Sequence, residues 1–271
     1  MIRDVTIGQY YPEKSVLHRL DPRMKLVITF GLIVVIFLCK SFFSLGLIAL
    51  TAIFAAAISK VPAKMILKSL KPIVIILLFT AILNVIYTEG GEVYFDKWGI
   101  AITEKGVNTA IFMMIRIVSL VVISSLLTYT TTPTMLTDAI ERLLSPLKIF
   151  KIKVHTLAMM MTLALRFIPT LIEEIDRIMN AQKARGADLE SGGLIQRAKA
   201  LVPIFIPLMV SAFRRAYELA FAMTCRCYTG GEGRTRMKQM KLHLRDFVAL
   251  IFLAAVTAGV IFLNIKFEAV I

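Results

Sequence analysis

Two short stretches concentrate the polar chemistry of an otherwise apolar chain: AQKARGAD at residues 181–188 and AMTCRCYT at residues 222–229. Each ends a long apolar-striped segment on an arginine, Arg185 in the first and Arg226 in the second. A guanidinium is a rigid planar fork of donors that matches carboxylate and phosphate geometry. It also has a local use, since a cation in the last turn of a helix meets the negative pole of the macrodipole. Lys183 shares that role, and Gly186 suits the residue after the cap, where the backbone turns left-handed. Two such endings on consecutive segments present a pair of polar contact points.

The other reactive side chains form no catalytic or metal-binding set. Cys225 and Cys227 are two apart, which on a helix points their sulfurs about 200° from each other. With Cys39 they make three cysteines, too few for a disulfide framework. His18, His155 and His243 lack the H-x-x-x-H spacing of a helical metal site. The chain has no G-x-x-x-x-G-K-[ST] loop for ATP phosphates. TGGEGRT, residues 229–235, has the glycines but neither the lysine nor a preceding strand, and reads as a flexible turn. No catalytic residue and no metal ligand is expected.

The segments that carry the arginines match each other in an unusual way. Twelve positions before Arg185 and Arg226 stand Glu173 and Arg214, and eleven before stand Glu174 and Arg215. Eight before, the order reverses, with Arg177 and Glu218. Opposite charges at equivalent positions predict that the two helices cross, with Glu173 and Glu174 facing Arg214 and Arg215. The first should run from about residue 154 to 185, kinked or split at Pro169, and the second from about 194 to 228, with Pro203 and Pro207 near its start. Past Pro169, Leu171, Ile172, Ile175, Ile178, Met179 and Gln182 fall on one side. A shorter helix should begin after Thr132, with Pro133 in its first turn, and end before Pro146.

These helices belong to a chain of 271 residues that is 58% hydrophobic yet carries a net charge of +14. Its mean hydropathy is +0.77. Apolar and basic together point to a bilayer protein with its cations on one side, and the long uncharged runs exclude a nucleic-acid binder. Five runs approach the roughly 20 residues of a helical span: about 24–39, 42–59, 72–88, 107–129 and 247–265. Asp21 is placed to cap the first, with Pro22 at its first position. Residues 1–23 lack the apolar core of a signal peptide.

Cations in the arm (Arg3, Lys14, Arg19, Arg23, Lys25) and in the next loop (Lys60, Lys64, Lys68, Lys71) put both on the cytoplasmic side. The acidic loop 89–106, with Tyr94, Phe95 and Trp98, reads as external. Residues 130–246 hold 18 of the 32 Lys and Arg, and their stripes and basic ends suit helices half-submerged at the cytoplasmic face. The expected organisation is one integral-membrane domain over 1–271. It comprises a four-span bundle at 24–129, a cytoplasmic helical region at 130–246 and a last span at 247–265. The fold class is an all-α membrane protein, with about five transmembrane helices and three cytoplasmic-face helices between the fourth and fifth. Within the spans, Arg116 is expected to pair structurally inside the bundle, and Asn84 to donate a hydrogen bond between helices.

At these residues the sequence resembles the transmembrane T component of energy-coupling factor transporters, the EcfT/CbiQ family. LHRLDPRMKL, residues 17–26, is similar to the family's N-terminal signature. Ala184, Arg185 and Gly186 match its first ARG motif, and Cys225, Arg226, Cys227 and Tyr228 occupy the place of the second, usually followed by Tyr. With the span layout, the resemblance covers essentially the whole chain. It implies a non-catalytic coupling subunit of an ABC-type importer. Such a subunit transmits the movement of two ATPase subunits to a membrane S component that captures a vitamin or a transition-metal ion.

On that resemblance the chain has no cofactor of its own, and ATP is bound by the partner ATPases. Ala184, Arg185, Gly186, Cys225, Arg226 and Cys227 would be the ATPase-binding residues, one arginine per ATPase. Met159, Met160, Met161, Met209 and Met223 would offer an adaptable face to the S component. The chain would be multi-pass in the plasma membrane, with its N-terminus and coupling helices cytoplasmic. Cysteines replace the family's Ala and Gly around Arg226, which puts a left-handed turn at Cys227 in question and offers Gly230 and Gly231 instead. The alternatives are a membrane-embedded enzyme, such as a lipid-modifying transferase, and a stand-alone secondary transporter. The first needs a polar cluster at the membrane surface and the second more intramembrane polarity, and the sequence displays neither.

Overall fold

The computed structural model describes residues 10–88, 90, 93–97, 100–150, 153–187, 193–230 and 242–267. Glu89, Glu92 and Trp98 of the acidic loop, and residues 231–235 of TGGEGRT, lie outside the described residues. The chain is an all-α membrane protein: α1 (Pro22–Leu38), α2 (Phe42–Ser59), α3 (Ala63–Leu70), α4 (Val74–Tyr87), α5 (Glu104–Thr130), α6 (Pro133–Leu143), α7 (Val154–Ala184), α8 (Leu194–Cys225) and α9 (Leu244–Lys266). A two-stranded antiparallel ribbon, β1 (Val93–Lys97) with β2 (Ile100–Thr103), joins α4 to α5.

Among the described residues, five helical stretches are long and apolar enough to cross a bilayer. Their membership differs from the five runs read in the sequence. α2, α5 and α9 correspond, whereas α1 has 17 residues and α4 only 14. α4 reaches spanning length only together with α3, across a 56° bend. Pro72 stands in that break and has no N–H to continue a helix. α7 and residues 199–225 of α8 complete the five, at a mean hydropathy of 1.4 and 1.3 against 2.2–2.5 for the other three.

The chain divides into two compact units, one within residues 8–139 and 239–271, the other within residues 140–238. The core of the first unit gathers α1, α2, α5 and α9 through Ile36, Leu45, Ile48, Phe112 and Val260. Phe42 meets Phe112 edge to face at 5.5 Å. Gly31 lets α1 and α9 close up: a Cβ there would stand 2.8 Å from Leu253 Cδ2. Such small residues set interhelical distance where lipid removes the hydrophobic drive to associate.

Polar groups tie the helix ends of this unit. Asp21 caps α1, accepting from the Arg23 backbone N–H at 2.9 Å, and the Arg23 guanidinium donates back to it at 2.7 Å. Asp246 accepts from the N–H groups of Asp21 (2.9 Å) and His243 (2.8 Å), so one buried carboxylate serves the starts of both α1 and α9. Carboxylates at helix N-termini oppose the dipole's positive end. Lys25 reaches across to the end of α5, donating to the Thr130 carbonyl at 2.8 Å. The N-terminal signature is therefore a clasp on three helices.

At the opposite end of α1, Arg116 donates to the Cys39 carbonyl at 2.7 Å and its guanidinium lies 4.7 Å from the Phe112 ring centre. Asn264 donates to the Leu38 carbonyl at 2.8 Å and accepts from the Lys40 N–H at 3.1 Å. Arg116 thus closes the C-terminus of α1 from within the bundle. Asn84 departs from its expected interhelical role: it donates to Thr80, one turn back in its own helix, at 2.8 Å.

Candidate functional site

The second unit contains the two arginine endings. α7 runs unbroken from Val154 to Ala184 with Pro169 inside it, so of the kink or split expected at Pro169 the split does not occur. The apolar stripe from Leu171 to Gln182 is its half-buried side, while Glu173, Arg177 and Asn180 are exposed. α8 accommodates Pro203 and Pro207 near its start. Pro207 cannot donate to the Pro203 carbonyl four residues back. Gln182 of α7 fills the vacancy, its side-chain amide donating to that carbonyl at 3.3 Å.

One ion pair marks the approach of the two helices: Arg215 donates to Glu174 at 2.9 Å. Glu173 and Arg214 are exposed and stand outside it. Both partners are partly solvated, so the pair contributes about 0–1 kcal/mol and chiefly fixes register. Contacts Glu174–Arg215 and Gln182–Pro203 advance along α7 as they retreat along α8, so the helices run antiparallel. Arg185 and Arg226 consequently lie at opposite ends of the pair. Each is eleven residues past its own member of the ion pair, about 16 Å along the axis.

The two endings have the same hydrogen-bond pattern. At the first, the N–H of Ala187 donates to Gln182 at 3.0 Å and that of Gly186 to Lys183 at 3.0 Å. At the second, the N–H of Tyr228 donates to Met223 at 3.0 Å and that of Cys227 to Thr224 at 2.9 Å. Both are Schellman closures, with the arginine as cap residue. Gly186 occupies the left-handed position of the first at φ 84°, and Cys227 that of the second at φ 55°. The left-handed turn that closes the helix therefore stays at Cys227; Gly231 lies outside the described residues. Its two bonds satisfy otherwise orphan carbonyls, which offsets the roughly 1–2 kcal/mol that a Cβ costs there.

Ala184, Arg185, Gly186, Cys225, Arg226 and Cys227 are all exposed. Among the described residues no acid engages either guanidinium, so each leaves a planar fork of donors at a helix end. No cluster of three or more His, Cys, Asp or Glu that could hold a metal ion occurs among the described residues. Sequence reasoning missed Asp246, Asn264 and the clasp role of Lys25. Only the Asp246 spacing to His243, a reversed capping pattern, could have announced any of them.

Comparison with known proteins bears on this arrangement. Residues 13–237 match the CbiQ family model, described as "Cobalt transport protein". The chain is 52% identical over 247 residues to an energy-coupling factor transporter transmembrane protein EcfT of Ruminiclostridium cellulolyticum, covering 91% of this chain and 92% of that one. It is 53% identical over 250 residues to the EcfT protein of Clostridium kluyveri, covering 92% and 93%. It is 44% identical over 264 residues to that of Bacillus subtilis strain 168, covering 97% and 100%. With an all-α membrane fold, this likeness along nearly its whole length means that the chain belongs to the CbiQ/EcfT family, as a non-catalytic transmembrane component of energy-coupling factor transporters.

Proposed function

We propose that this chain couples two ABC-type ATPase subunits to a substrate-binding S component that takes up a vitamin or a transition-metal ion. Arg185 engages one ATPase and Arg226 the other, with Ala184, Gly186, Cys225 and Cys227 shaping the contacts. ATP is bound by the partners and no cofactor by this chain. Residues 24–129 and 247–265 form the membrane bundle, and residues 130–246 the coupling region. The N-terminus and the coupling helices face the cytoplasm.

The single observation that carries the reading is the duplication of one exposed arginine ending at equal distances from the Glu174–Arg215 pair. Two ATPase subunits need two sockets filled, and each charge-assisted hydrogen bond there contributes about 1.5–3 kcal/mol. The test replaces Arg185 and Arg226 together by alanine in the assembled transporter. ATP-driven uptake should be lost, and the ATPases should no longer co-purify, while membrane insertion is retained. Uptake at the normal rate would overturn the assignment.

A further inference from the structure

Beyond the arginine endings, the first unit holds a cavity of about 300 Å³ at the end of the bundle where α1 and α9 begin and α2 and α5 finish. That is the lower end of the roughly 300–1,000 Å³ range of small-ligand sites. Its walls are apolar, including Leu17, Leu20, Ile28, Phe54, Leu126 and Phe252. Phe54 and Phe252 are themselves exposed on the flank of the bundle, their rings 6.2 Å apart, so this part of the wall reaches the outer surface at α2 and α9.

Thr51, Thr130 and Lys25 of the wall are engaged, and of its two charged groups only Arg245 is not, among the described residues. Thr51 donates to Ile48 at 2.7 Å, Thr130 to Leu126 at 2.8 Å and Lys25 to Thr130 at 2.8 Å. Arg245 lines the same cavity, is exposed, and makes no side-chain hydrogen bond or ion pair among the described residues. It also stands in the first turn of α9, where the dipole disfavours a cation. Exposed Arg19 adjoins Leu20 of the wall. An apolar slot whose wall reaches the flank of the bundle, with an unmatched guanidinium at one end, has the complement of one ligand class: an aliphatic chain bearing an anionic head.

We propose that this cavity takes one acyl chain of an anionic phospholipid from the surrounding bilayer, with Arg245 holding the headgroup phosphate. A zwitterionic headgroup would bring its own cation to Arg245 and is disfavoured. Depth in the slot selects a chain, and the charge selects the head.

The test uses the full-length protein in detergent, stripped of lipid and then offered palmitoyl-oleoyl phosphatidylglycerol, the phosphatidylcholine with the same chains, or oleate, with bound lipid counted by native mass spectrometry. One phosphatidylglycerol per chain should be retained, at least about tenfold more tightly than phosphatidylcholine. Arg245→Gln should erase that preference, and Ala249→Phe, which fills the slot, should remove binding of both. A photoactivatable acyl-chain phosphatidylglycerol should label the wild-type chain within the wall segments 16–32, 51–58, 123–130 and 245–253, which decides the matter even if a variant fails to fold. Equal retention of the two phospholipids, oleate binding alone, an unchanged Arg245→Gln variant or labelling elsewhere would each overturn the proposal.

Discussion

The backbone N–H of Asp21 donates to the carboxylate of Asp246 at 2.9 Å, across 225 residues of sequence. That carboxylate is almost completely buried, at 1% exposure, and also receives the N–H of His243. Two helix starts thus share one acid, and the first adds its own acid, Asp21, paired with Arg23. The first and last helices of the membrane unit are closed together at one point by charge as well as by packing.

Asp21 supplies a pH dependence. Burial raises its carboxyl, but the hydrogen bonds and charge of Arg23 outweigh burial and hold it below the usual 3.8. A depressed acid contributes stability fully above 3.8 and loses it as the pH falls through the lower folded value. Asn still caps a helix, so Asp21→Asn removes the charge alone. Melting temperatures should differ most at neutral pH and converge on acidification. A gap that widens in acid would contradict this account.

The far end of α1 should respond to loss of its caps. Asn264→Ala leaves the Leu38 carbonyl and the Lys40 N–H without their side-chain partners, and is expected to destabilise by about 0.5–1.5 kcal/mol. Arg116→Met frees the Cys39 carbonyl and should cost a similar amount. Thermal unfolding in detergent measures both.

The two helix endings give opposite outcomes. Cys227→Gly relieves a side chain at φ 55° and should stabilise by about 1 kcal/mol, whereas Gly186→Ala, at φ 84°, should destabilise by about as much. Unfolding of the two variants beside the parent decides it. If Cys227→Gly is neutral or worse, the thiol makes a contact that offsets its strain.

The ion pair of the crossing is testable by exchange. Glu174→Arg and Arg215→Glu each place like charges 2.9 Å apart in the parent geometry and should lower stability by about 1 kcal/mol or more. The double exchange should recover most of the loss, giving a coupling energy in a double-mutant cycle of about 0.5 kcal/mol or more.

Helix existence and extent were legible because apolar periodicity and proline positions are local signals. Pro133 opens α6, α7 ends one residue before Arg185, and Asp21 with Pro22 starts α1. Span membership was less legible. A run of apolar residues does not reveal that Pro72 bends α3 from α4, nor that α7 and residues 199–225 of α8 are, like α2, long and apolar enough to span a bilayer. Partners were hardest to read. Asn84 turned back to its own helix, and Asn264 went to α1, because a side-chain amide takes the nearest free carbonyl, and only the fold decides which that is. Cys227 kept the left-handed position because two closing bonds outweigh one Cβ, a balance that composition does not display.

Equal arms have a mechanical consequence. With Arg185 and Arg226 each about 16 Å from the Glu174–Arg215 contact, that contact is the fulcrum of a balanced beam. A scissoring of about 10° about it carries both tips through about 3 Å, in step and without a change in length.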